Sequence, residues 1–331
     1  MKYRKFSSEK ANIETALVLS GGGAKGAYQV GVIKELMRKR VSLDLVSGSS
    51  IGALNGALMA EFILQGMNSQ EIAYRLEEAW SSFGDFLTLN WSGFLGNLFS
   101  PANIPSIYTN KKVRKHLSKY IPQKRKFSDY LKCQLSVTAT NLNTRKLKIF
   151  DFNSTASVIE AVIASMAYPA AFPAVNIDAQ YFVDGGILSN APLKEAVLWG
   201  ARDIFLVFLR PISMIEGGKE SSKNYDSALE VIDELFDIAV NHLMYGDFRN
   251  AERMNKLINL LYKYQNRLPR GFLNEIRELY GLKYNVGKRI INVKQIAPTE
   301  LLHPPGLKGF DQQEAIREII KRGERDSRGV F

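Results

Sequence analysis

Three short stretches of this sequence combine residue types suited to nucleophilic chemistry. Gly48-Ser49-Ser50-Ile51-Gly52 is a G-x-S-x-G pattern. Its two glycines permit a turn so tight that neighbouring backbones leave no room for Cβ atoms, and the central hydroxyl is pushed outward. Gly21-Gly22-Gly23-Ala24-Lys25-Gly26 supplies backbone N–H groups where a helix must begin, aimed at negative charge. That charge is either a pyrophosphate, since the G-x-G-x-x-G spacing is met, or an oxyanion that develops during a reaction. Asp184-Gly185-Gly186 sets a carboxylate beside glycines that allow close approach.

The remaining inventory is thin. His116, His242 and His303 are the only histidines, and none has a motif of its own, so a Ser-His-Asp triad has little to draw on. The single cysteine, Cys133, excludes an intrachain disulfide framework and any multi-cysteine metal site. Its run of alternating apolar residues predicts a buried structural thiol. No metal ion and no organic cofactor is expected.

These residues need elements that bring them together. Ala16 to Leu19 is a short apolar run closed by glycines, as a buried parallel strand would be. Tyr28, Val32, Ile33, Leu36 and Met37 then recur at helical spacing. Leu43 to Val46 reads as a second strand, with Ala53 to Leu64 a helix after the G-x-S-x-G turn. Strands at 134–139 and 146–152, a helix at 157–166, a short strand at 181–183, a helix at 193–199 and a strand at 204–209 follow. Strands alternating with helices predict an α/β fold, a central mostly parallel sheet flanked by helices. In such a sheet the strand C-termini share one edge, which would gather the 21–26 loop, Ser50 and Asp184. Between 84 and 130 the pattern loosens around Trp91, Phe94, Leu95, Leu98 and Phe99, an expected insertion. From 213 to 331 the expectation is a helical C-terminal extension. It opens on a polar linker at 213–224 and continues as a long helix, with Leu229, Ile232, Leu235, Phe236, Ala239, Val240 and Leu243 on one face and Glu230, Asp233, Glu234 and Asp237 on the other. It ends in a frayed charged tail from Lys321.

The three motifs in this order resemble the patatin-like phospholipase family: G-G-G-x-[RK]-G, then G-x-S-x-G, then D-G-[GA]. Ser165 to Val175 and Asp184 to Pro192 extend the likeness, which covers residues 15 to 210. Ser49 and Ile51 beside the serine, and Ala174 where proline is frequent, depart from the pattern. The resemblance implies a catalytic domain over 10–212 that cleaves carboxylic esters of phospholipids or other lipids. It implies Ser50 as nucleophile with Asp184 as partner in a Ser-Asp dyad, and Gly21, Gly22 and Gly23 as the oxyanion hole. Gly26, Gly48, Gly52, Gly185 and Gly186 would shape the turns. Lys25 would orient the loop, meet a substrate phosphate, or stay solvated. An ordinary aspartate, with a pKa of about 3.9, is a poor base for a hydroxyl, so the dyad requires burial to raise that value.

Two rival readings remain at this level. One is a dinucleotide-binding oxidoreductase using the 21–26 loop, with Asp44 at roughly the separation expected of the ribose-binding acid. The other is a non-catalytic regulatory protein that keeps the fold. The chain of 331 residues carries 44 Lys plus Arg against 33 acids, a formal charge of +11. The basic stretch 111–126 holds eight Lys and Arg without an acid, a candidate contact with an anionic membrane surface. Nucleic acid is not expected, because no motif supports it. With no apolar leader and no run of about 18 apolar residues, the expected location is the cytoplasm, with peripheral membrane contact open. Oligomeric state is not legible.

Overall fold

A computed structural model describes residues 13–82, 109–169, 171–215, 228–264, 266–279, 290–303 and 309–331. Residues 84–108 of the expected 84–130 insertion, with Trp91, Phe94, Leu95, Leu98 and Phe99, therefore fall outside the described residues, as does most of the 213–224 linker.

Eight strands form one mixed sheet: β1 (Thr15–Leu19), β2 (Leu45–Ser49), β3 (Gln134–Asn141), β4 (Lys146–Phe150), β5 (Val175–Ile177), β6 (Gln180–Asp184), β7 (Asp203–Val207) and β8 (Asn292–Ile296). The order is β5-β6-β3-β2-β1-β7-β8, with β4 paired to β3 off that path. The β3, β2, β1, β7 and β8 strands run parallel. In the central strands β1 and β7 the buried side chains are apolar on both faces, as a parallel sheet covered on each side requires. Leu17, Leu19 and Val46 enter one core; Ala16, Val18 and Leu45 enter the other.

The first core is covered by α1 (Ala27–Arg38), α2 (Ile51–Leu64), α3 (Ser69–Ser81), α4 (Asn110–Leu117) and α5 (Val158–Ser165). The second lies under α6 (Leu193–Leu198) and α8 (Ala228–Tyr264), with the short α7 (Ile212–Ile215) between them in the chain. Two further helices, α9 (Arg270–Leu279) and α10 (Gln313–Ser327), complete the described chain. Cys133 is buried and its thiol is pushed up to about 12 by burial, with a smaller contribution from Asp44.

The expected C-terminal helices are present, and the region also contributes β8, which pairs parallel to β7 and extends the sheet. Two other expectations about it need correction. The charged end is no frayed tail. Ile316, Ile319, Ile320, Gly323 and Ser327 are buried on one face of α10, the 3–4 spacing of a packed helix. That face meets α1 at a point of backbone contact: a Cβ on Gly323 would lie 2.1 Å from the Tyr28 carbonyl, and one on Gly31 2.0 Å from the Ile320 carbonyl. The face assigned to α8 is also displaced. Val240, Met244 and Phe248 point inward, Leu235 and Leu243 are exposed, and Asp237 is half-buried beside two cations.

Candidate active site

Ser50 is held at the end of β2 by the contacts its flanking glycines allow. A Cβ on Gly48 would lie 2.3 Å from the Gly52 carbonyl oxygen, and one on Gly52 2.3 Å from that of Leu19. Only glycine fits either place. Ser50 has φ 52 and ψ −123, a strained conformation for a side-chain-bearing residue. As the residue capping α2, it also lies at the positive end of that helix. Its backbone N–H donates to Ser165 Oγ at 2.8 Å.

Asp184 reaches Ser50 by a different route from the one the parallel-sheet argument expects. Its strand, β6, runs antiparallel to β3, with Asp184 opposite Ala139. Because β4 occupies the far edge of β3 from Val137 to Asn141, β6 must share the near edge with β2. There β2 ends at the Ser49–Thr138 pair, and β6 arrives from the opposite direction at the next residue. The C-terminal ends of two opposed strands therefore meet head to head. The Ser50 hydroxyl donates to Asp184 Oδ2 at 2.6 Å, and the Gly186 N–H donates to Oδ1 at 2.7 Å. Gly185 permits this meeting, since a Cβ there would lie 2.3 Å from the Thr138 carbonyl.

Asp184 is fully buried. Burial pushes its carboxyl up to about 7, although the hydrogen bonds from Ser50 and Gly186 pull the other way. A carboxylate that titrates near neutrality is matched to accepting a hydroxyl proton. The deficiency of an ordinary aspartate is thus removed by its surroundings.

The glycine loop stands beside the pair. A Cβ on Gly21 would lie 2.9 Å from that of Ser50. Gly22 and Gly23 adopt φ values of 155 and 59. The three glycines are not equivalent, because the Gly21 N–H already donates to Asn190, to Oδ1 at 3.0 Å and to the carbonyl at 3.1 Å. Gly22 and Gly23 remain as candidate donors. Gly26 closes the loop against Ile51, whose Cγ1 lies 2.5 Å from where a Cβ would be. Lys25 is neither solvated nor open to a ligand: it is buried, and its Nζ bonds Asp237 at 2.8 Å.

Asn190, Ser165, Ala167 and Asp237 also shape the site without a catalytic signal of their own in the sequence. Ser165 accepts from Ser50, and the Ala167 carbonyl accepts from the Asp184 N–H at 2.9 Å. One segment, at the end of α5, thus fixes both partners of the pair. It lies in the 165–175 stretch that carries part of the family resemblance. Asp44 is placed at the other end of the sheet, where its Oδ2 accepts from the Glu14 and Thr15 N–H groups at 2.9 Å. It cannot serve a dinucleotide at the 21–26 loop. The basic stretch also changes meaning in part, since Arg125 makes a two-pronged ion pair with buried Glu61 and is a structural residue.

A sheet with helices on both faces, a serine on a strained strand–helix turn, a buried aspartate bonded to it and a neighbouring glycine loop together define an α/β protein with a Ser50–Asp184 pair at the end of β2. The sequence model of the patatin-like phospholipase family matches residues 17–197. This is more than half of the chain, and the protein belongs to that family. Among curated proteins, patatin-like phospholipase domain-containing protein 6 of Mus musculus is 28% identical over 197 residues, 58% of this chain and 13% of its own. Lysophospholipase nte1 of Aspergillus terreus is 25% identical over 291 residues, 83% of this chain and 18% of its own. The chain thus spans less than a fifth of these relatives' lengths. A crystal structure of VipD from Legionella pneumophila is similar at a TM-score of 0.44 with 16% identity, over 97% of this chain and 67% of that one.

Proposed function

We propose that the protein is a serine acyl hydrolase that cleaves carboxylic esters of phospholipids or other lipids through an acyl-Ser50 intermediate. The observation that carries this reading is the 2.6 Å hydrogen bond from the Ser50 hydroxyl to Asp184, a buried carboxyl raised to about 7. Family membership and the names of its relatives, which include lysophospholipases, supply the substrate class.

In this mechanism Ser50 Oγ attacks the acyl carbonyl carbon while its proton passes to Asp184 Oδ2. The carbonyl oxygen becomes an oxyanion facing the Gly22 and Gly23 N–H groups. Such donors are worth about 3 kcal/mol each. Asp184 then returns the proton to the leaving alcohol oxygen as the ester C–O bond breaks. A water, giving its proton to Asp184, attacks the acyl-enzyme, and free fatty acid departs as Ser50 recovers its hydrogen. The sequence calls for no metal or organic cofactor in these steps.

Among the described residues, no helix is long and apolar enough to cross a membrane. We place the protein in the cytoplasm with peripheral contact through exposed lysines such as Lys111 and Lys115 of the 111–126 stretch. The test is a panel of phospholipids, lysophospholipids and triglycerides resolved by product mass. Ser50→Ala and Asp184→Asn variants that remain folded lose fatty-acid release. Full activity in either one overturns the reading.

A further inference from the structure

The segment that supplies Asp184 also reaches the glycine loop. After Asp184 the chain closes a short turn, in which the Leu188 and Ser189 N–H groups donate to the Gly185 carbonyl at 3.1 and 2.9 Å. Asn190 then comes back beside the site, 1% exposed. The Gly21 N–H needs an acceptor, so the end of the amide it meets at 3.0 Å is Oδ1. That oxygen lies 2.6 Å from the place of a Cβ on Gly21, and Ser50 Cβ lies 2.9 Å from the same place. It also lies 3.1 Å from the place of a Cβ on Gly186, as does Asp184 Oδ1. One acceptor therefore stands among the glycine loop, the nucleophile and the base.

The other end of the amide makes the choice of residue informative. Among the described residues, Asn190 Nδ2 is buried with no hydrogen-bond partner, a state that costs about 1–3 kcal/mol. Aspartate has the same shape, accepts from Gly21 equally well and leaves no donor unpaired. What it adds is a second carboxylate across the Gly186 position from Asp184. Burial, then the hydrogen bonds from Ser50 and Gly186, govern the Asp184 carboxyl, and among the described residues no charged side chain contributes. Strands β3 and β5 carry no charge. Glu160 is bonded to Ser157 at the start of α5, and Lys25 and Arg210 are taken up by Asp237 and Glu234 of α8. Tyr181, the other titratable group of β6, is exposed. A like charge at position 190 would therefore act on Asp184 unopposed, and two carboxylates sharing one buried site do not both ionise readily.

We propose that Asn190 is a positioning residue: through Oδ1 it clamps Gly21 and so keeps the glycine loop against Ser50, and by being uncharged it lets Asp184 act as a base beside it. The proposal rests on the acyl-hydrolase reading. It goes beyond that reading in assigning the alignment of the loop to one side chain and in requiring that side chain to be neutral. The idle Nδ2 is the consequence of that requirement, since the only isosteric acceptor without it carries a charge.

The test pairs Asn190→Ala with Asn190→Asp and reads kcat and KM for a soluble short-chain ester across pH, with hydrogen exchange of residues 21–26 in parallel. Asn190→Ala, or Asn190→Ser where the first does not fold, removes the acceptor. Its kcat is expected to fall about tenfold or more with KM held, its loop to exchange faster, and the rising limb of its pH profile to stay in place. Asn190→Asp keeps the acceptor, so its loop is expected to exchange as in wild type while the rising limb moves up by about one pH unit or more. A kcat within about twofold of wild type in Asn190→Ala, or an unmoved limb in Asn190→Asp, overturns the proposal. So does a loss of kcat that only matches the unfolded fraction seen in a thermal melt. Exchange does not depend on turnover. An inert wild type whose loop still opens in Asn190→Ala removes the hydrolase reading, while an active one whose loop does not open removes the clamp.

Discussion

Replacing Asp184 with asparagine separates the chemistry of this residue from the cost of burying it. The folded carboxyl is raised from 3.8 to about 7, roughly three units at about 1.4 kcal/mol each, or on the order of 4 kcal/mol. The sign follows from proton binding. Between about pH 4 and pH 7 the folded state keeps a proton that the unfolded chain has released, so wild-type stability falls as pH rises through that window. Above about pH 7 the full penalty is present. Asparagine does not titrate, and it retains an acceptor for the Gly186 N–H and a donor toward Ser50. Urea unfolding with linear extrapolation is the assay. Asp184→Asn should be more stable than wild type near pH 8 by up to that amount, with the difference shrinking toward zero near pH 4. A pH-independent difference, or a wild type that is the more stable near pH 8, would refute the claim that an ionised Asp184 is held in the fold at a cost.

The same titration governs turnover. Asp184 acts as base only when ionised, so kcat/KM on a soluble ester should rise with pH through about 7 and then level; a flat profile from about pH 5 to 8 would oppose it. Gly48→Ala should destabilise by about 3 kcal/mol or more, because its Cβ would meet the Gly52 carbonyl at 2.3 Å. Thermal melts check this, and the destabilisation should accompany lost activity. Gly323→Ala, at the backbone contact between α1 and α10, should lower the melting temperature while leaving Ser50 reactive in whatever fraction stays folded. Replacing Lys111, Lys115 and Lys124 with glutamine should weaken binding to phosphatidylglycerol vesicles by about 1 kcal/mol per charge, measured by co-sedimentation, with soluble-ester turnover retained.

The site was legible to the extent that backbone crowding leaves a mark on residue type. Gly48, Gly52 and Gly185 each face a carbonyl at a distance no side chain tolerates, and such positions show in a sequence as glycine. Ser50 and Asp184 stand out because those glycines frame them. Asn190 and Ser165 are ordinary polar residues in a sequence, and their roles come from tertiary hydrogen bonds to Gly21 and Ser50. The convergence at Ser50 was expected for the wrong reason: strand direction for β6 depends on pairing with β3, which local pattern does not encode. The same limit explains the misplaced face of α8. Glu234 and Asp237 turn inward to pair with Lys25 and Arg210, and counter-charges distant in sequence leave no periodic signal. For α10, the burial pattern at 316, 319, 320 and 323 was present but obscured by the intervening charges.

The central claim is that Ser50 is the nucleophile and Asp184 activates it. The most direct measurement is mass spectrometry of the protein after a fluorophosphonate reaction, with the adduct mapped to a peptide. One adduct is expected, on the peptide that carries Ser50, absent in Ser50→Ala and formed far more slowly in Asp184→Asn. An adduct on another residue, or none in a protein that still releases fatty acid, would contradict the account.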